Sequence, residues 1–268
     1  MNYIESILLG AIQGATEFLP VSSSGHLFLA EKYLGLEQNL NFEIALHFAS
    51  LLAIILYFRV EIWQLTKSLI ELILKQNFKT NKDGLYSLKL IFATVITFPF
   101  ALLIKKLIFD SGNLTETLVA STLVITGILI LSAEKLRSFF KLYSFDKQNL
   151  SWGLAFFLGI VQGLAVTPGI SRSGMTIAFL ILIGTNRKYA VKTSFFLAIP
   201  TILGAMLFSL NENNWNIPFG PIELVGCLIS FFVALLAIKF MLKAIEKHWI
   251  WFAPYCFVLG MYLLIVNL

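Results

Sequence analysis

Long apolar runs, rather than an alternation of apolar and polar residues, set the pattern of this chain. Six runs have the length of about 20 residues that an α-helix needs to cross roughly 30 Å of hydrocarbon. They predict spanning helices over residues 42–58, 88–107, 115–133, 190–210, 221–240 and 250–267. A membrane β-barrel would instead alternate with a period of two, so the pattern predicts an all-α polytopic membrane protein.

Two further regions, 1–36 and 150–186, are apolar at their ends but polar, glycine-rich and broken by proline in the middle. Each apolar arm is too short to span the bilayer comfortably. Broken helices at membrane depth are tolerated only where they pack inside protein or face a water-filled cavity. Both regions are therefore predicted to be re-entrant helical hairpins.

The two hairpins are related in sequence. "LGAIQGATEFLPVSSSGHL" (9–27) aligns without a gap to "LGIVQGLAVTPGISRSGMT" (158–176), at an offset of 149 residues and with seven identities. The hairpins enter from opposite sides if six segments cross between and after them. This predicts one integral membrane domain built from two inverted-topology repeats, about 1–135 and 150–268, with a polar site near the midplane.

Composition and charge agree with a membrane protein. Only 13% of the 268 residues are charged and the mean hydropathy is +0.83, whereas a soluble domain carries about 25% charged residues. The net charge of +5 indicates basic cytoplasmic loops rather than a nucleic-acid partner. Most Lys and Arg residues fall in four connections predicted to face the cytoplasm, the first of which can hold an amphipathic surface helix: 59–89, 134–150, 186–192 and 239–249.

Arg172 most needs an explanation, because a lone arginine at membrane depth costs at least about 2.5–3.5 kcal/mol. It lies among Ser171, Ser173 and Thr176 in "PGISRSGMT", which has the form of a turn that enters a helix. A helix N-terminus with an arginine fork is suited to bind phosphate. The alternative is a purely structural ion pair with Glu17.

The first hairpin carries the other reactive side chains. Glu17 is a hard oxygen ligand for Mg²⁺ or Ca²⁺, or a general base, and Gln13 shares its helical face. His26 titrates near neutrality and can transfer a proton, and His47 is a further candidate for the pocket. Three candidate nucleophiles lie near His26 in sequence: Ser22, Ser23 and Ser24. Each residue alone could be structural, but together they favour a phosphate-handling site.

The stretches "QGATEFLPVSSSGHL" and "PGISRSGMT" resemble the two signature motifs of the undecaprenyl-diphosphatase family, the bacitracin-resistance phosphatases of bacterial membranes. The resemblance covers essentially the whole chain. It implies hydrolysis of undecaprenyl diphosphate to undecaprenyl phosphate and inorganic phosphate, which recycles the lipid carrier for peptidoglycan synthesis. It further implies a divalent cation, Mg²⁺ or Ca²⁺, and a site that opens toward the periplasmic side of the plasma (inner) membrane. The oligomeric state stays open, with a homodimer as one candidate.

The resemblance also assigns roles to residues of this sequence. Glu17 matches the metal-binding or general-base glutamate, Ser23 the nucleophile, His26 its proton-transfer partner and Arg172 the arginine that grips the diphosphate. Gln13 occupies a position that is often a second glutamate, so a second metal carboxylate is absent here. The substrate-binding set comprises Gln13, Ser22, Ser24, Ser171, Ser173 and Thr176. Attack by serine and direct attack by water both stay open.

Two other functions fit part of the same pattern. A transporter or flippase of a phosphorylated polyprenyl lipid would share inverted repeats and a midplane site, and would bind the same groups without cleaving them. A type-2 phosphatidic acid phosphatase needs a second histidine in an SRx₅H context, which "SRSGMTIAF" lacks.

Overall fold

The computed structural model describes residues 1–78, 80–137, 150–212 and 220–266, and these residues form a bundle of α-helices. A π-helical segment, Lys105–Phe109, continues the helix that ends at Ile104, and a 3₁₀ turn, Trp249–Trp251, precedes the helix that begins at Phe252. In chain order the helices are α1 Tyr3–Thr16, α2 Ser23–Tyr33, α3 Leu40–Tyr57, α4 Arg59–Lys75, α5 Lys82–Ile104, α6 Glu116–Leu136, α7 Trp152–Leu164, α8 Arg172–Leu182, α9 Arg187–Glu212, α10 Pro221–Lys247 and α11 Phe252–Val266.

Within these ranges, six helices are long and apolar enough to cross a membrane: α3, α5, α6, α9, α10 and α11, the last with its 3₁₀ turn. They coincide with the six predicted spans, so the chain is a multi-pass membrane protein. The predicted ends differ most at α5, which begins at Lys82, and at α10, which continues to Lys247. Both helices extend through polar residues beyond their apolar runs, which hydropathy alone does not detect.

The two predicted hairpins are present as α1–α2 and α7–α8, helices of 11 to 14 residues. A helix of 14 residues is about 21 Å long, which is too short to cross the hydrocarbon. Each break contains a proline, Pro20 or Pro168, and proline disfavours a helical conformation at the residue before it. After each break a serine, Ser22 or Ser171, caps the next helix.

The hairpins pack reciprocally on the two halves of the chain. Gly10 and Gly14 of α1 lie so close to the backbone of α10 that an added side chain would collide with it. Gly159 and Gly163 of α7 approach α5 in the same way. Small residues four apart allow this close approach of membrane helices. Such reciprocal packing is expected of inverted repeats, whose boundaries at 1–135 and 150–268 stay a prediction.

The connection between α3 and α5 holds the expected surface helix, α4. Its Trp63, Ile70 and Leu74 side chains are exposed, while the opposite face packs on α5. Asn81 Nδ2 donates a 2.7 Å hydrogen bond to the Ser68 carbonyl, and Gly84 of α5 approaches the same carbonyl. An amphipathic helix of this kind is suited to lie along the membrane interface.

Candidate active site

The tips of the two hairpins meet inside the bundle. Gly25 of α2 lies against the backbone of Gly169, and Gly169 has a left-handed φ of 87° that favours glycine. Two threonines of α6 hold this second tip: Thr122 Oγ1 donates to the Pro168 carbonyl (2.6 Å) and Thr126 Oγ1 to the Gly169 carbonyl (3.0 Å). The start of α2 and the loop 165–171 are thereby held in contact, with α6 behind the loop.

An ion pair between Glu17 and Arg172 crosses this junction. Arg172 Nη2 lies 2.6 Å from Glu17 Oε1, and the two side chains are only 16% and 4% exposed. Arg172 Nη1 donates to the Ser194 carbonyl of α9 at 3.3 Å. A guanidinium carries five N–H donors, so Arg172 keeps donors for a further anion while paired with Glu17.

The second oxygen of Glu17 contacts three other side chains. Oε2 accepts hydrogen bonds from Ser23 Oγ (2.7 Å) and Gln13 Nε2 (2.9 Å). His47 Nε2 lies 3.4 Å from the same oxygen, while its Nδ1 is 2.8 Å from the Glu43 carbonyl. Ser23 is half-buried, whereas Glu17 and Gln13 are buried. Glu17 is therefore placed to accept the proton of the Ser23 hydroxyl.

His26 has different partners from those expected. Its Nδ1 lies 2.8 Å from the Ser22 carbonyl, which can only accept, so Nδ1 carries a proton. In the neutral ring, Nε2 then accepts a 2.7 Å hydrogen bond from the Tyr255 hydroxyl of α11. Because the ring turns back over the first turn of α2, His26 makes no hydrogen bond to Ser23 among the described contacts. The hydrogen-bond partner of the Ser23 hydroxyl is Glu17 instead.

The other predicted phosphate ligands stabilise the hairpins in this structure. The Ser22 and Ser171 hydroxyls accept from the third residue of α2 and of α8, at 3.3 and 3.0 Å. Ser24 Oγ lies 3.4 Å from Ser22 Oγ. Ser173 donates to the Leu19 carbonyl (3.0 Å), and Thr176 Oγ1 lies 2.7 Å from Ser194 Oγ. Their direct contact with phosphate stays a prediction.

Backbone groups offer a second means of binding an anion here. The first N–H groups of a helix have no intrahelical acceptor, and they favour negative charge. Both α2 and α8 begin at the junction, at Ser23 and Arg172. Two helix N-termini therefore adjoin the reactive cluster, as the turn-and-helix pattern around Arg172 predicted.

Three site residues were missed by the sequence pattern. Ser50 of α3 accepts from Gln13 Nε2 at 3.4 Å, Ser194 of α9 contacts Arg172 and Thr176, and Tyr255 of α11 bonds His26. Of the three, only Ser50 could have been found from the sequence, because it lies one helical turn after the pocket candidate His47. His47 itself, a candidate for the pocket, does contact Glu17.

The reactive residues stand where the two aligned hairpins differ. Gln13 and its equivalent Gln162 are both fully buried and donate to hydroxyls of neighbouring helices. Ser22 and Ser171 are both helix caps. The candidate reactive residues instead occupy aligned positions where the two hairpins carry different residues: Glu17 with Val166, Ser23 with Arg172 and His26 with Met175.

The donor set suits a hard divalent cation only together with a ligand's own oxygens. Within the described residues, no three His, Cys, Asp or Glu side chains group as a metal site. Gln13 Oε1, however, is buried without a hydrogen-bond partner, on the amide that bonds Glu17. One carboxylate and one amide oxygen are ligands that Mg²⁺ and Ca²⁺ accept beside water or substrate phosphates.

The fold and the cluster define a polytopic helical membrane protein in which a buried carboxylate contacts an arginine and a serine, groups that can bind and attack a phosphoryl group. A family model described as "Bacitracin resistance protein BacA" matches residues 6–262. The chain belongs to this family.

Relatives match along their whole lengths. A protein of Borreliella burgdorferi is 38% identical over 264 residues, covering 97% of this chain and 96% of its own. A protein of Carboxydothermus hydrogenoformans is 36% identical, over 100% of this chain and 98% of its own. A protein of Desulfatibacillum aliphaticivorans is 35% identical, over 100% of this chain and 99% of its own. Each of these relatives is named undecaprenyl-diphosphatase.

Proposed function

We propose that this protein hydrolyses undecaprenyl diphosphate to undecaprenyl phosphate and inorganic phosphate. The observation that carries the proposal is the pair of contacts on Glu17, with Ser23 Oγ at 2.7 Å from one oxygen and Arg172 Nη2 at 2.6 Å from the other. The names of the full-length relatives support the same substrate. The site is proposed to open toward the outer side of a bacterial plasma membrane.

Substrate binding follows from the donors at the hairpin junction. The free N–H groups of Arg172 and the N-termini of α2 and α8 would hold the diphosphate oxygens. The polyprenyl chain would remain among the apolar faces of the spanning helices. Arg172 can bind a phosphate while it stays paired with Glu17, because the two contacts use different hydrogens of its guanidinium.

Bond breaking would use Ser23 and Glu17. The Ser23 oxygen attacks the terminal phosphorus as Glu17 takes its proton, and the bond from that phosphorus to the bridging oxygen breaks. Lipid monophosphate leaves, and Arg172 stabilises the charge on the phosphoryl oxygens. Water then attacks phosphoserine, releasing phosphate and restoring the hydroxyl. Direct attack by water, with Glu17 as base and Arg172 on the phosphoryl oxygens, would not need the Ser23 hydroxyl. His26, bonded to Tyr255, would exchange protons with the solvent.

A divalent cation, Mg²⁺ or Ca²⁺, is part of the proposal. Glu17 and the unpartnered Gln13 Oε1 would hold it together with oxygens of the substrate. When bound, the cation would withdraw charge from the phosphoryl group.

Phosphate release from undecaprenyl diphosphate by the purified protein tests the proposal. We expect release with Mg²⁺ or Ca²⁺ and its loss in EDTA, restored by adding the cation back. Release that is indifferent to EDTA would remove the cation from the proposal. Movement of the lipid across vesicle membranes without release would replace the diphosphatase with a transporter. The candidate homodimer would be checked by the mass of the protein in lipid nanodiscs.

A further inference from the structure

A second polar cluster lies at one end of the bundle, away from the hairpin junction. The ends of α6 and α10 and the start of α9 surround a cavity of about 180 Å³. Five residues line it: Arg137, Asn186, Arg187, Lys188 and Glu246. None of the described hydrogen bonds or ion pairs links them to Glu17, Ser23 or Arg172, so the cavity is a separate site.

Arg187 is held in one orientation at this cavity. Its Nη2 pairs with the Glu134 carboxylate of α6, and its Nη1 donates to the Glu246 carbonyl of α10 at 2.7 Å. Trp249 Nε1 donates to the other Glu134 oxygen at 2.8 Å. Arg187 Nε is buried and has no hydrogen-bond partner among the described residues. A buried donor without an acceptor is costly. Nη1 and Nη2 each carry a second N–H beyond the one used in these contacts, so Arg187 keeps donors for a further acceptor.

The charges that line the cavity favour an anion. Three cationic side chains and the Glu246 carboxylate line it; Glu246 pairs with Lys188 at 2.8 Å and Glu134 with Arg187, so the cations exceed these carboxylates by one. The α9 helix of 26 residues begins here, and Asn186 caps it by accepting from Lys188 N at 2.9 Å. The positive end of the α9 dipole therefore adds to the cationic side chains.

The cavity lies where lipid headgroups would be. It is formed by the ends of three candidate membrane spans, α6, α9 and α10. Trp249 is beside it and the exposed Trp251 follows, and tryptophans of this kind collect at membrane interfaces. This end also carries connections predicted to face the cytoplasm, where basic pockets between helices bind anionic headgroups.

We propose that this cavity binds a phosphate group, with Arg187 as the preset donor and Arg137 and Lys188 as the cations that close around it. The group could belong to an anionic lipid, or it could be free phosphate. Both present the same oxygens to the guanidinium fork. The site is independent of the diphosphatase chemistry.

Native mass spectrometry of the detergent-purified protein tests this proposal. Phosphatidylglycerol, phosphatidylcholine and inorganic phosphate are titrated against the wild type and against Arg137→Gln/Lys188→Gln. Arg187 is left intact because it stabilises the helix ends through Glu134. The matched control is Lys67→Gln/Lys75→Gln, which removes two exposed charges of α4. Thermal unfolding confirms that each variant is folded.

We expect one molecule of phosphatidylglycerol to bind more tightly than phosphatidylcholine. Binding should weaken about tenfold or more in Arg137→Gln/Lys188→Gln, because two of the three cations are lost, and should hardly change in the control. If phosphate binds with the same dependence and phosphatidylglycerol does not, the ligand is free phosphate. Equal losses in both double variants would show diffuse attraction and overturn the proposal, as would equal binding of the two lipids.

Discussion

At the residue scale, the two oxygens of Glu17 have separate partners. Oε1 pairs with Arg172, and Oε2 accepts from Ser23 and Gln13. A buried ion pair contributes little to net stability, but removing one partner leaves an uncompensated charge. The two explanations that the sequence left open, ion pair and phosphate site, are therefore compatible, because the pair also orients Arg172 and Ser23.

This arrangement predicts a particular order of stabilities. Arg172→Gln leaves the Glu17 carboxylate buried without its cation and should cost about 3–5 kcal/mol. Glu17→Gln/Arg172→Gln removes both charges and should cost less. Thermal unfolding in detergent would give the double variant the higher midpoint. Equal midpoints would mean that the buried Glu17 carboxylate does not need the charge of Arg172 for the protein to be stable.

A second prediction separates two neighbouring serines. Ser23 donates a hydrogen bond to Glu17, whereas the described contact of the Ser24 hydroxyl is with the capping Ser22 hydroxyl, at 3.4 Å. Ser23→Ala should lower the rate of phosphate release by about 100-fold or more, and Ser24→Ala should retain most of it. Near-normal turnover of Ser23→Ala would exclude serine as the nucleophile and leave direct attack by water.

Sequence predicted the residues of the site better than their contacts. Arg172 was identified because a charge is expensive at membrane depth, and Glu17 because a carboxylate can bind a cation or act as a base. Ser23 was separated from Ser22 and Ser24 only by the resemblance to a family. Ser22 and Ser171 could not be separated from phosphate ligands, since a hydroxyl at the start of a helix serves either purpose. Tyr255, 229 residues from His26, left no local signal.

At the element scale, the helical hairpins depend on their glycine faces. The spans and hairpins were predictable because apolar length and proline breaks are local properties of the chain. The helix that each hairpin packs against could not be predicted, because Gly10 and Gly226 come into contact only in the folded chain. Hydropathy also missed the polar ends of α5 and α10.

The glycine contacts give a third prediction. Gly10→Ala and Gly159→Ala should each force apart helices that are in backbone contact, and overpacking costs about 1–3 kcal/mol. Gly204→Ala is the matched control, because a Cβ there would meet nothing within 4 Å. Thermal unfolding should show lower midpoints for the first two variants only, by roughly 2–4 °C for each kcal/mol. A control that falls equally would contradict this packing.

At the scale of the whole molecule, one site is assembled from both halves of the chain. The acid and the serine come from the first hairpin, the arginine from the second, and α3, α9 and α11 supply further contacts. The aligned hairpins share their caps and buried glutamines but differ at the reactive positions. A fold that is nearly symmetric at its hairpins thus carries an asymmetric active site.

The most direct test of this account is the rate of phosphate release from undecaprenyl diphosphate by variants of the two hairpins. Glu17→Gln should lose about 100-fold or more, and Arg172→Lys, which keeps the charge without the fork, about tenfold or more. The exposed Glu37→Gln and Arg59→Gln are the controls and should match the wild type. A folded Glu17→Gln or Arg172→Lys protein with the wild-type rate would contradict a site shared between the two hairpins.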